Sequence, residues 1–340
     1  MIRIAVLGTS GIAERRMIPA IKKNPAFQYA GVAYSTREEM AFEGTASAFE
    51  PFLRQKLEKA ERFQQAFGGN VWVGYQALIS DPEIDAVYIA LPPAMHFKWA
   101  SAVLSAGKHV LLEKPFTTRE EDTKKLVALA RQQHLAITEN YGFPYHAQMK
   151  LIRQWMAEDA IGELRQVRAT FGFPYRGIND FRYNRDLGGG ALLDCGGYTI
   201  RAATAVLGPD VEVLAAISRI QENHSVDISG NAFLQHESGI PVVLAFGMDH
   251  DYRCELELWG SKGTITASRI FTAPDSFPAP VELKNIQGVV QRTAKDDQFL
   301  RILQQFGNSI VSSTAREEEM EEILLQSALT EKIREMSIHP

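Results

Sequence analysis

Residues 2–13 read IRIAVLGTSGIA, and this stretch decides the fold of the first half of the chain. A short apolar run, Ile2 to Leu7, ends at a glycine, and helical spacing of apolar residues follows until Asn24-Pro25 stops it. Strand-like apolar runs then alternate with helical patterns up to Thr138. This alternation predicts an α/β fold with a doubly wound parallel sheet.

The pattern changes at about Tyr141. After one helix, the chain continues as a series of strand-like segments joined by turn residues such as Glu237-Ser238-Gly239, and two terminal helices follow. We therefore predict a second, mostly antiparallel sheet and two domains, residues 1–141 and residues 142–340. Residues 38–57 delay the connection after the second strand, and we interpret them as an insertion with partial helix.

Composition and charge exclude several classes of partner. The chain has 36 Lys and Arg against 41 Asp and Glu, and this net charge of -5 argues against a nucleic-acid partner. No apolar run approaches the roughly 20 residues of a membrane span, so no membrane partner is expected. Two cysteines, Cys195 and Cys254, fit a reducing compartment and predict a cytoplasmic protein. The histidines and cysteines lack metal-site spacing, so no metal is expected.

The turn after the first strand is a degenerate form of the dinucleotide-binding pattern G-x-G-x-x-G. Its first glycine permits a tight turn, while small residues at the second and third places, here Ser10 and Ala13, let the backbone approach a pyrophosphate and the helix pack closely. A purely structural strand-to-helix turn explains the same residues about as well. The predicted cofactor contacts here are Gly8, Thr9, Ser10, Gly11 and Ile12.

The residues after the second strand bear on the choice of nucleotide. An NAD site usually has Asp or Glu there to hold the ribose hydroxyls, whereas a 2′-phosphate needs hydroxyls and a cation. This chain has Ser35, Thr36 and Arg37, with no acid before Glu38. A solvated loop is the alternative interpretation, but given a nucleotide site the sequence favours NADP(H) over NAD(H).

Two further segments carry candidate catalytic residues. Lys114, in Glu113-Lys114-Pro115, follows an apolar strand whose carboxyl end faces the ligand crevice of a doubly wound sheet; elsewhere such a lysine is simply solvated. Asp194 and Tyr198 are four residues apart, so a helix would place them on one face, although an acid in a first helical turn is also an ordinary structural feature. A tyrosine can protonate a developing alkoxide if a nearby ammonium lowers its pKa from about 10, and Lys114 is a candidate for that ammonium.

Together these motifs resemble those of the Gfo/Idh/MocA oxidoreductase family. The match runs from Ile2 to about Gly263. The resemblance implies an NAD(P)-binding Rossmann domain, then an α/β domain with a large, mostly antiparallel sheet through which homodimers or homotetramers form. The motifs that carry the resemblance are the glycine turn, Asp85–Ala90 with Pro92 and His96, Ala106–Val110, Glu113–Pro115 and Gly188–Tyr198. The expected cofactor contacts are completed by Leu91, Pro92, His96, Glu113 and Lys114.

One branch of the family is the nearest match. Asp194–Tyr198 resembles the branch in which tyrosine replaces the histidine of inositol dehydrogenases, and Tyr252–Gly263 with Arg269–Pro274 is similar to nucleotide-sugar 3-ketoreductases of deoxysugar pathways. That resemblance implies reduction by NADPH of a C3 ketone on a hexose carried by a nucleoside diphosphate. Tyr198 would be the acid and Lys114 the electrostatic stabiliser.

Further roles follow from the same resemblance. Asp194 would position the sugar hydroxyls or the lysine. The substrate contacts expected from the resemblance are Tyr145, His146, Arg182, Asp194 and Tyr198. Two features depart from the family: residues 142–147 stand where M-Y-R-x-H-P is usual, without its arginine, and residues 38–57 are an unusual insertion.

Three other functions stay open at this point. They are a dehydrogenase of a free sugar or polyol, a redox-neutral sugar enzyme with a tightly held cofactor, and a non-catalytic NADP-binding sensor. Lys114 and Tyr198 would serve oxidation and reduction equally, by microscopic reversibility. Their joint presence argues against the sensor, which needs no acid pair.

Overall fold

A computed structural model of the chain describes residues 1–39, 46–177, 179–221 and 224–338, so residues 40–45 of the expected insertion lie outside the described residues. The chain divides into two compact units. The longest segment of the second unit begins at Tyr141, close to the predicted boundary between residues 141 and 142. The first unit contains Met1–Phe116, Glu121–Asn140 and Ile302–Glu321, and the second contains Thr117–Glu120, Tyr141–Arg301 and the chain from Glu322 onward.

One segment near the C-terminus lies in the first unit, although the sequence analysis predicts it in the second domain. Residues 302–321, expected in the second domain, are part of the first unit. The physical reason is packing on the first unit's sheet: the ring of Phe306 stacks on that of Phe27, with centroids 5.9 Å apart. Arg131 adds ion pairs with Glu317 and Glu321 on the surface.

The first unit is built from six strands and five helices among the described residues. Its strands are β1 (Ile2–Leu7), β2 (Phe27–Tyr34), β3 (Asn70–Val73), β4 (Ala86–Ile89), β5 (His109–Leu112) and β6 (Ile137–Glu139). Its helices are α1 (Ile18–Lys23), α2 (Ala46–Phe67), α3 (Tyr75–Ile79), α4 (His96–Ser105) and α5 (Glu120–Gln132).

These strands form one parallel sheet in the order β3-β2-β1-β4-β5-β6. The residues of β4 are all buried, because helices cover both faces of such a sheet. The strand order reverses between β1 and β4, and the carboxyl ends of strands at such a switch point face the ligand crevice. The doubly wound parallel sheet predicted from the sequence is confirmed.

The second unit contains the remaining strands and helices. They are α6 (Ala147–Ala157), β7 (Leu164–Gly172), α7 (Gly197–Leu207), β8 (Val211–Ile220), β9 (Asp227–His236), β10 (Pro241–Gly247), β11 (Arg253–Gly260), β12 (Gly263–Ser268), β13 (Ala279–Asn285), β14 (Gly288–Ala294) and β15 (Ser337–Ile338). Two long C-terminal helices, α8 (Gln298–Val311) and α9 (Ser313–Met336), each contribute residues to both units.

The second sheet has nine strands in the order β14-β13-β12-β11-β7-β10-β9-β8-β15. Within this second sheet, only the β7–β10 and β8–β15 pairs of described strands are parallel. The predicted large, mostly antiparallel sheet is therefore confirmed. The turn Glu237–Gly239 joins β9 to β10, as its residues predict.

Helix α2 contains most of the described part of the expected insertion. It is one helix of 22 residues, and residues 46–57 form its first half, in agreement with the partial helix predicted there. Its buried residues Ala60 and Phe63 have no exposed surface. Among the described residues, no helix combines the length and apolarity needed to cross a membrane.

Candidate active site

The glycine turn sits at the carboxyl end of β1, beside the residues that follow β4. Gly8 has a φ of +106°, a conformation that side chains rarely adopt. A Cβ on Gly8 would lie 2.7 Å from Leu91 Cδ2 and 2.9 Å from the carbonyl oxygen of Ala90, so only glycine fits. The Ser10 hydroxyl accepts a hydrogen bond from the Ala13 amide at 3.2 Å and caps the helical turn that follows.

That helical turn is wider than an α-helix. Residues Ala13–Met17 form a π-helical turn, in which the Ile18 amide donates to the carbonyl of Ala13, five residues earlier. The chain then continues into α1. Single π turns of this kind often occur at functional sites. The turn brings together the predicted cofactor contacts at Gly8, Ser10 and Leu91 at one edge of the sheet.

The residues after β2 are organised by an acid that the sequence analysis did not single out. The carboxylate of Glu39 accepts hydrogen bonds from the backbone amides of Thr36 (2.9 Å), Tyr75 (2.8 Å) and Gln76 (2.9 Å). Both of its oxygens are therefore occupied by the protein. The sequence signal for this contact is weak: a carboxylate shortly after β2, and a short helix, α3, much further along the chain.

Ser35 follows β2 and is fully buried. Its hydroxyl accepts a hydrogen bond from Lys56 Nζ at 3.1 Å and also bonds with the Tyr75 hydroxyl. Burial raises the pKa of Tyr75 to about 12, an effect that the Ser35 hydrogen bond opposes and Glu39 reinforces. Among the predicted contacts, Arg37 is exposed and Thr36 is half-buried, whereas Ser35 has no exposed surface.

His96 is also fully buried, at the start of α4. Its Nδ1 lies 2.8 Å from the carbonyl oxygen of Pro115 and its Nε2 lies 2.9 Å from that of Leu91. Burial lowers the pKa of His96, and the backbone carbonyls only partly offset this. Both ring nitrogens are thus used inside the protein, so His96 acts as a positioning residue that joins the segment after β4 to the segment after β5.

The Glu113-Lys114-Pro115 segment follows β5 and is held by its neighbours. The Glu113 carboxylate accepts hydrogen bonds from the Tyr88 hydroxyl and from Asn140 Nδ2, the latter at 2.6 Å. Burial raises the pKa of Glu113, while the hydrogen bonds from Tyr88 and Asn140 and the charge of Lys114 act in the opposite direction. Lys114 and Pro115 are half-buried and joined by a cis peptide bond.

In the second unit, Arg182 and Asp194 form a partly buried ion pair. Arg182 Nε donates to Asp194 Oδ2 at 2.8 Å, and Arg182 also contacts Asp180 Oδ1 at 3.1 Å. Burial opposes ionisation, but the two carboxylates raise the pKa of Arg182 above its usual value. Sequence reasoning assigns both Arg182 and Asp194 to the substrate, and the structure brings them together as one charged group.

Tyr198 lies at the start of α7, within a cluster of aromatic rings. Its ring centroid is 4.9 Å from that of Tyr141, 5.1 Å from Phe171, 5.7 Å from Phe271 and 6.2 Å from Phe143. The phenol is half-buried. These rings fix the orientation of the phenol by packing, because edge-to-face contacts of this kind restrict rotation.

The helix that carries Asp194 and Tyr198 also begins with a π turn. Leu192–Gly196 form this turn, and the Gly197 amide donates to the carbonyl of Leu192. A Cβ on Gly197 would collide with the Tyr141 hydroxyl, so a glycine is needed at this close approach. The predicted helical placement of Asp194 and Tyr198 is thus found, with a wider turn than an α-helix between them.

The two remaining substrate candidates differ in exposure. Tyr145 is half-buried in a short 3₁₀ turn, Phe143–Tyr145. The sequence assigns His146 to substrate contact, but the structure buries it completely and uses Nδ1 to accept a hydrogen bond from the Gln148 amide at 3.2 Å. Since His146 caps α6 and has no exposed surface, the function proposed below does not use it.

One cluster of side chains has the composition of a metal site. Candidate ligand atoms of Asp210, His236 and Glu237 lie within 4.8 Å of one another, and two of the three residues are exposed. His236 Nδ1 is 2.8 Å from the Ser238 hydroxyl. Sequence spacing does not reveal this group, because Asp210 is brought to the other two by the pairing of β8 with β9.

Comparisons with known proteins agree with this architecture. Residues 2–141 match the model of the oxidoreductase family with an NAD-binding Rossmann fold, and residues 149–266 match that of the GFO/IDH/MocA C-terminal domain. The chain is 35% identical, over 98% of its length and 95% of the relative, to a dTDP-3,4-didehydro-2,6-dideoxy-alpha-D-glucose 3-reductase from Actinomadura kijaniata. It is 38% identical to an enzyme of the same name from Saccharopolyspora spinosa, with 98% and 96% of the two chains covered.

A solved structure extends the agreement to three dimensions. A 3-ketoreductase from Actinomadura kijaniata, in complex with NADP and TDP-benzene, superposes with a TM-score of 0.89 and 34% identity, over 99% of this chain and 98% of that one. Both domains of the fold are therefore shared. This chain belongs to the GFO/IDH/MocA oxidoreductase family.

Proposed function

We propose that this chain is an NADPH-dependent 3-ketoreductase that acts on a dTDP-linked 3-keto-2,6-dideoxyhexose. One observation carries the proposal: the chain matches proteins named as such 3-reductases from end to end, at 35% and 38% identity. Fold alone would not support it, because one fold hosts many activities. The residues of the glycine turn, the β2 end and the Glu113–Pro115 segment supply the specific chemistry.

The structure of the first unit fits a dinucleotide. Gly8, where a Cβ would meet Leu91 and Ala90, permits the tight turn after β1, and Ser10 at the second place of the motif is small and caps the helical turn next to it. Thr9, Gly11 and Ile12 complete that turn, while Thr36 and Arg37 lie at the ribose end. Leu91 and Pro92 border the turn after β4. When bound, NADPH would supply the hydride.

Lys114 and Tyr198 are the proposed catalytic residues. Tyr198 would give its phenolic proton to the developing alkoxide, and the ammonium of Lys114 would stabilise that oxyanion by charge. Solved variants of the Actinomadura kijaniata 3-ketoreductase replace a lysine by alanine and a tyrosine by phenylalanine. That lysine and that tyrosine are separated along their chain by the same number of residues as Lys114 and Tyr198, which supports the assignment.

Arg182, Asp194 and Tyr145 are the proposed substrate contacts. Arg182 and Asp194 form an ion pair with a net charge close to zero, and Asp180, which also pairs with Arg182, makes the group negative. The pair would therefore orient sugar hydroxyls by hydrogen bonds rather than attract the diphosphate. Asp194 in this role positions the hexose next to Tyr198, one helical turn further along the chain.

We also propose that the second sheet pairs subunits. The outward face of β8 and β9 exposes the side chains of Ile217 (44%) and Phe233 (41%). Apolar side chains that are exposed together on one face of a sheet indicate an interaction surface. A homodimer formed through this face would cover both. Replacing Phe233 by Glu should lower the molecular mass seen by sedimentation to that of a monomer, while Val289→Glu on β14 should not. A wild-type monomer would disprove the pairing.

The cytoplasm is the proposed compartment. Cys195 and Cys254 are both free and buried, as expected for thiols kept in a reducing environment.

A thermal-shift panel tests the function without an unstable keto-sugar. A ligand that binds only the folded state raises Tm by mass action, so the panel compares NADPH with NADH, and then NADP⁺ with added nucleoside diphosphates, free sugars and inositols. We expect a rise with NADPH and a further rise with dTDP. Turnover is then checked by loss of NADPH absorbance with the dTDP-keto-sugar made in situ.

Other outcomes of the panel point elsewhere. A further rise only with a free sugar or polyol would favour the dehydrogenase, and a cofactor that survives purification would favour a redox-neutral enzyme. Binding of NADPH without turnover of any keto-sugar would favour the sensor. If an initially cofactor-free protein responds to neither nicotinamide, the proposed function is wrong.

A further inference from the structure

We infer that Lys56, on helix α2, binds the 2′-phosphate of NADPH and is a determinant of selectivity for NADPH over NADH. This inference rests on the proposed function and deepens it. The sequence analysis does not single out Lys56, because it lies 21 residues beyond Ser35 in a segment without a recognisable motif. Its position in space, rather than its position in the sequence, carries the inference.

Lys56 is held at the place where the adenosine ribose of a Rossmann domain lies. That ribose is bound at the carboxyl end of the second strand, which here is Tyr34, and Ser35 follows at once. Lys56 Nζ donates to Ser35 Oγ at 3.1 Å. Ser35 is fully buried and also bonded to Tyr75, so its hydroxyl anchors the lysine and Lys56 is the group that faces the ribose.

Of the two acids among the described residues that follow β2, Glu38 is exposed and Glu39 is bonded to the backbone. Both oxygens of Glu39 accept backbone amide hydrogens, from Thr36, Tyr75 and Gln76. An NAD site would need such an acid to accept from the 2′-hydroxyl. Instead, the strand end offers the exposed guanidinium of Arg37 and the ammonium of Lys56, two cations suited to a phosphate.

The surroundings of the Lys56 ammonium favour an anion. Burial lowers the pKa of Lys56, and the neighbouring charge of Lys59 lowers it further. The ammonium also lies 5.1 Å from the centroid of the Phe52 ring, which covers one side of it. A bound phosphate dianion would stabilise the buried ammonium of Lys56 and would offset its repulsion by Lys59. The affinity for the phosphate is higher because the ammonium is already held in position.

The same observation gives the first half of α2 a purpose. Residues 46–57 are the described part of the unusual insertion, and they carry α2 past the end of β2. A helix that began at Glu58 would lack Lys56. The insertion and the 2′-phosphate site are then one feature of the chain.

The test uses the adenosine half of the cofactor, so that it does not depend on turnover. Binding of adenosine 2′,5′-bisphosphate and of adenosine 5′-monophosphate to the full chain is measured by calorimetry, together with NADPH and NADH. Removing a charge-assisted contact in Lys56→Ala should weaken bisphosphate and NADPH binding about tenfold or more, and leave monophosphate and NADH binding within about twofold.

Two further variants control for fold and for charge. Lys56→Arg keeps a cation and should keep the preference for the bisphosphate. Arg54→Ala removes the same charge from an exposed position two residues away on the same helix, and should change neither affinity by more than about twofold. Equal thermal unfolding of the variants and the wild type shows that α2 is intact in each.

The outcomes separate the two proposals. If the wild type prefers NADPH and Lys56→Ala keeps that preference, Lys56 is not a determinant and the inference is overturned, while the proposed function stands. The inference also fails if Arg54→Ala loses as much bisphosphate affinity as Lys56→Ala. A wild type that binds neither nicotinamide overturns the proposed function itself.

Discussion

Lys114 lies between two backbone positions that the protein fixes without the help of its side chain. The Glu113 amide donates to the carbonyl of Ile89 at 3.0 Å, and the Phe116 amide donates to the Glu139 carboxylate at 2.7 Å. The half-buried lysine side chain can therefore be exchanged for an apolar one of similar length while the loop keeps its path. Such a replacement therefore tests the chemistry of the ammonium while the loop around it stays in place.

We predict that Lys114→Met lowers kcat about a hundredfold to a thousandfold, because one preorganised donor to an oxyanion is lost. NADPH affinity should change by less than about threefold, since the glycine turn and the β2 end are untouched. Stopped-flow turnover and NADPH titration measure the two quantities. The exposed Lys98 offers a matched control, and Lys98→Met should behave as the wild type. Full turnover by Lys114→Met would remove the proposed mechanism.

At the scale of single residues, the sequence identifies groups whose place is set by a short motif. Gly8 is one, because a glycine directly after a strand permits the tight turn of a dinucleotide-binding motif, and its φ of +106° agrees. Glu39 and Lys56 could not be found in this way. Their partners, Tyr75 and Ser35, are 36 and 21 residues away, so only the folded chain brings them together.

At the scale of secondary-structure elements, His96 connects three of them. It begins α4, and its two ring nitrogens reach the carbonyls of Leu91 after β4 and Pro115 after β5. A carbonyl oxygen only accepts, and a neutral imidazole has a single N–H, so only one of these two contacts is a hydrogen bond in the neutral ring. The ring still fills its buried space and fixes the separation between the loop after β4 and the loop that carries Lys114.

We predict that His96→Ala lowers the free energy of unfolding by about 2–4 kcal/mol, through the cavity and the lost hydrogen bond. As a positioning residue, His96 should also affect KM for NADPH more than a stability loss alone would. The comparison is made well below Tm, by urea unfolding and by steady-state kinetics. The Lys114→Met variant provides the contrast, with low kcat and nearly unchanged NADPH affinity. Unchanged KM in a folded His96→Ala would mean that the ring is only structural.

Alternation of apolar and polar residues can indicate a strand only where one face of the strand is buried. β8 and β9 alternate buried and exposed residues, which is the pattern that a sequence reveals. β14 is exposed along almost its whole length, and its residues show no alternation, so it was missed. The π turns at Ala13–Met17 and Leu192–Gly196 were missed as well, because a single wider turn leaves no mark on apolar spacing.

At the scale of the whole molecule, three buried or partly buried histidines link stability to pH. Burial is the main cause that lowers the pKa of His96, of His109 and of His146; at His109 the charge of Arg316 acts in the same direction. In the unfolded chain each titrates near its ordinary pKa of about 6.5. Below that pH the unfolded chain takes up protons that the folded chain resists, so the free energy of unfolding falls as pH falls.

Glu113 acts with the opposite sign. Its pKa is raised mainly by burial, so the folded chain binds its proton more readily than the unfolded chain does. Its contribution to stability therefore decreases as pH rises from about 4.5 through the pKa of the folded state. The histidine contribution is therefore isolated by comparing the wild type with a variant that differs at one histidine.

We predict that the free energy of unfolding in urea, taken as the difference between the wild type and His109→Gln, is constant from about pH 8 to pH 7 and falls between about pH 6.5 and pH 5.5. The glutamine oxygen can replace the ring Nδ1 that accepts from the Ala136 amide at 3.0 Å, yet does not titrate. His250→Gln, which replaces an exposed histidine, should leave the pH dependence as it is in the wild type. A difference between the wild type and His109→Gln that stays constant down to about pH 5.5, or an equal change with both substitutions, would show that buried neutral histidines do not control the acid stability of this fold.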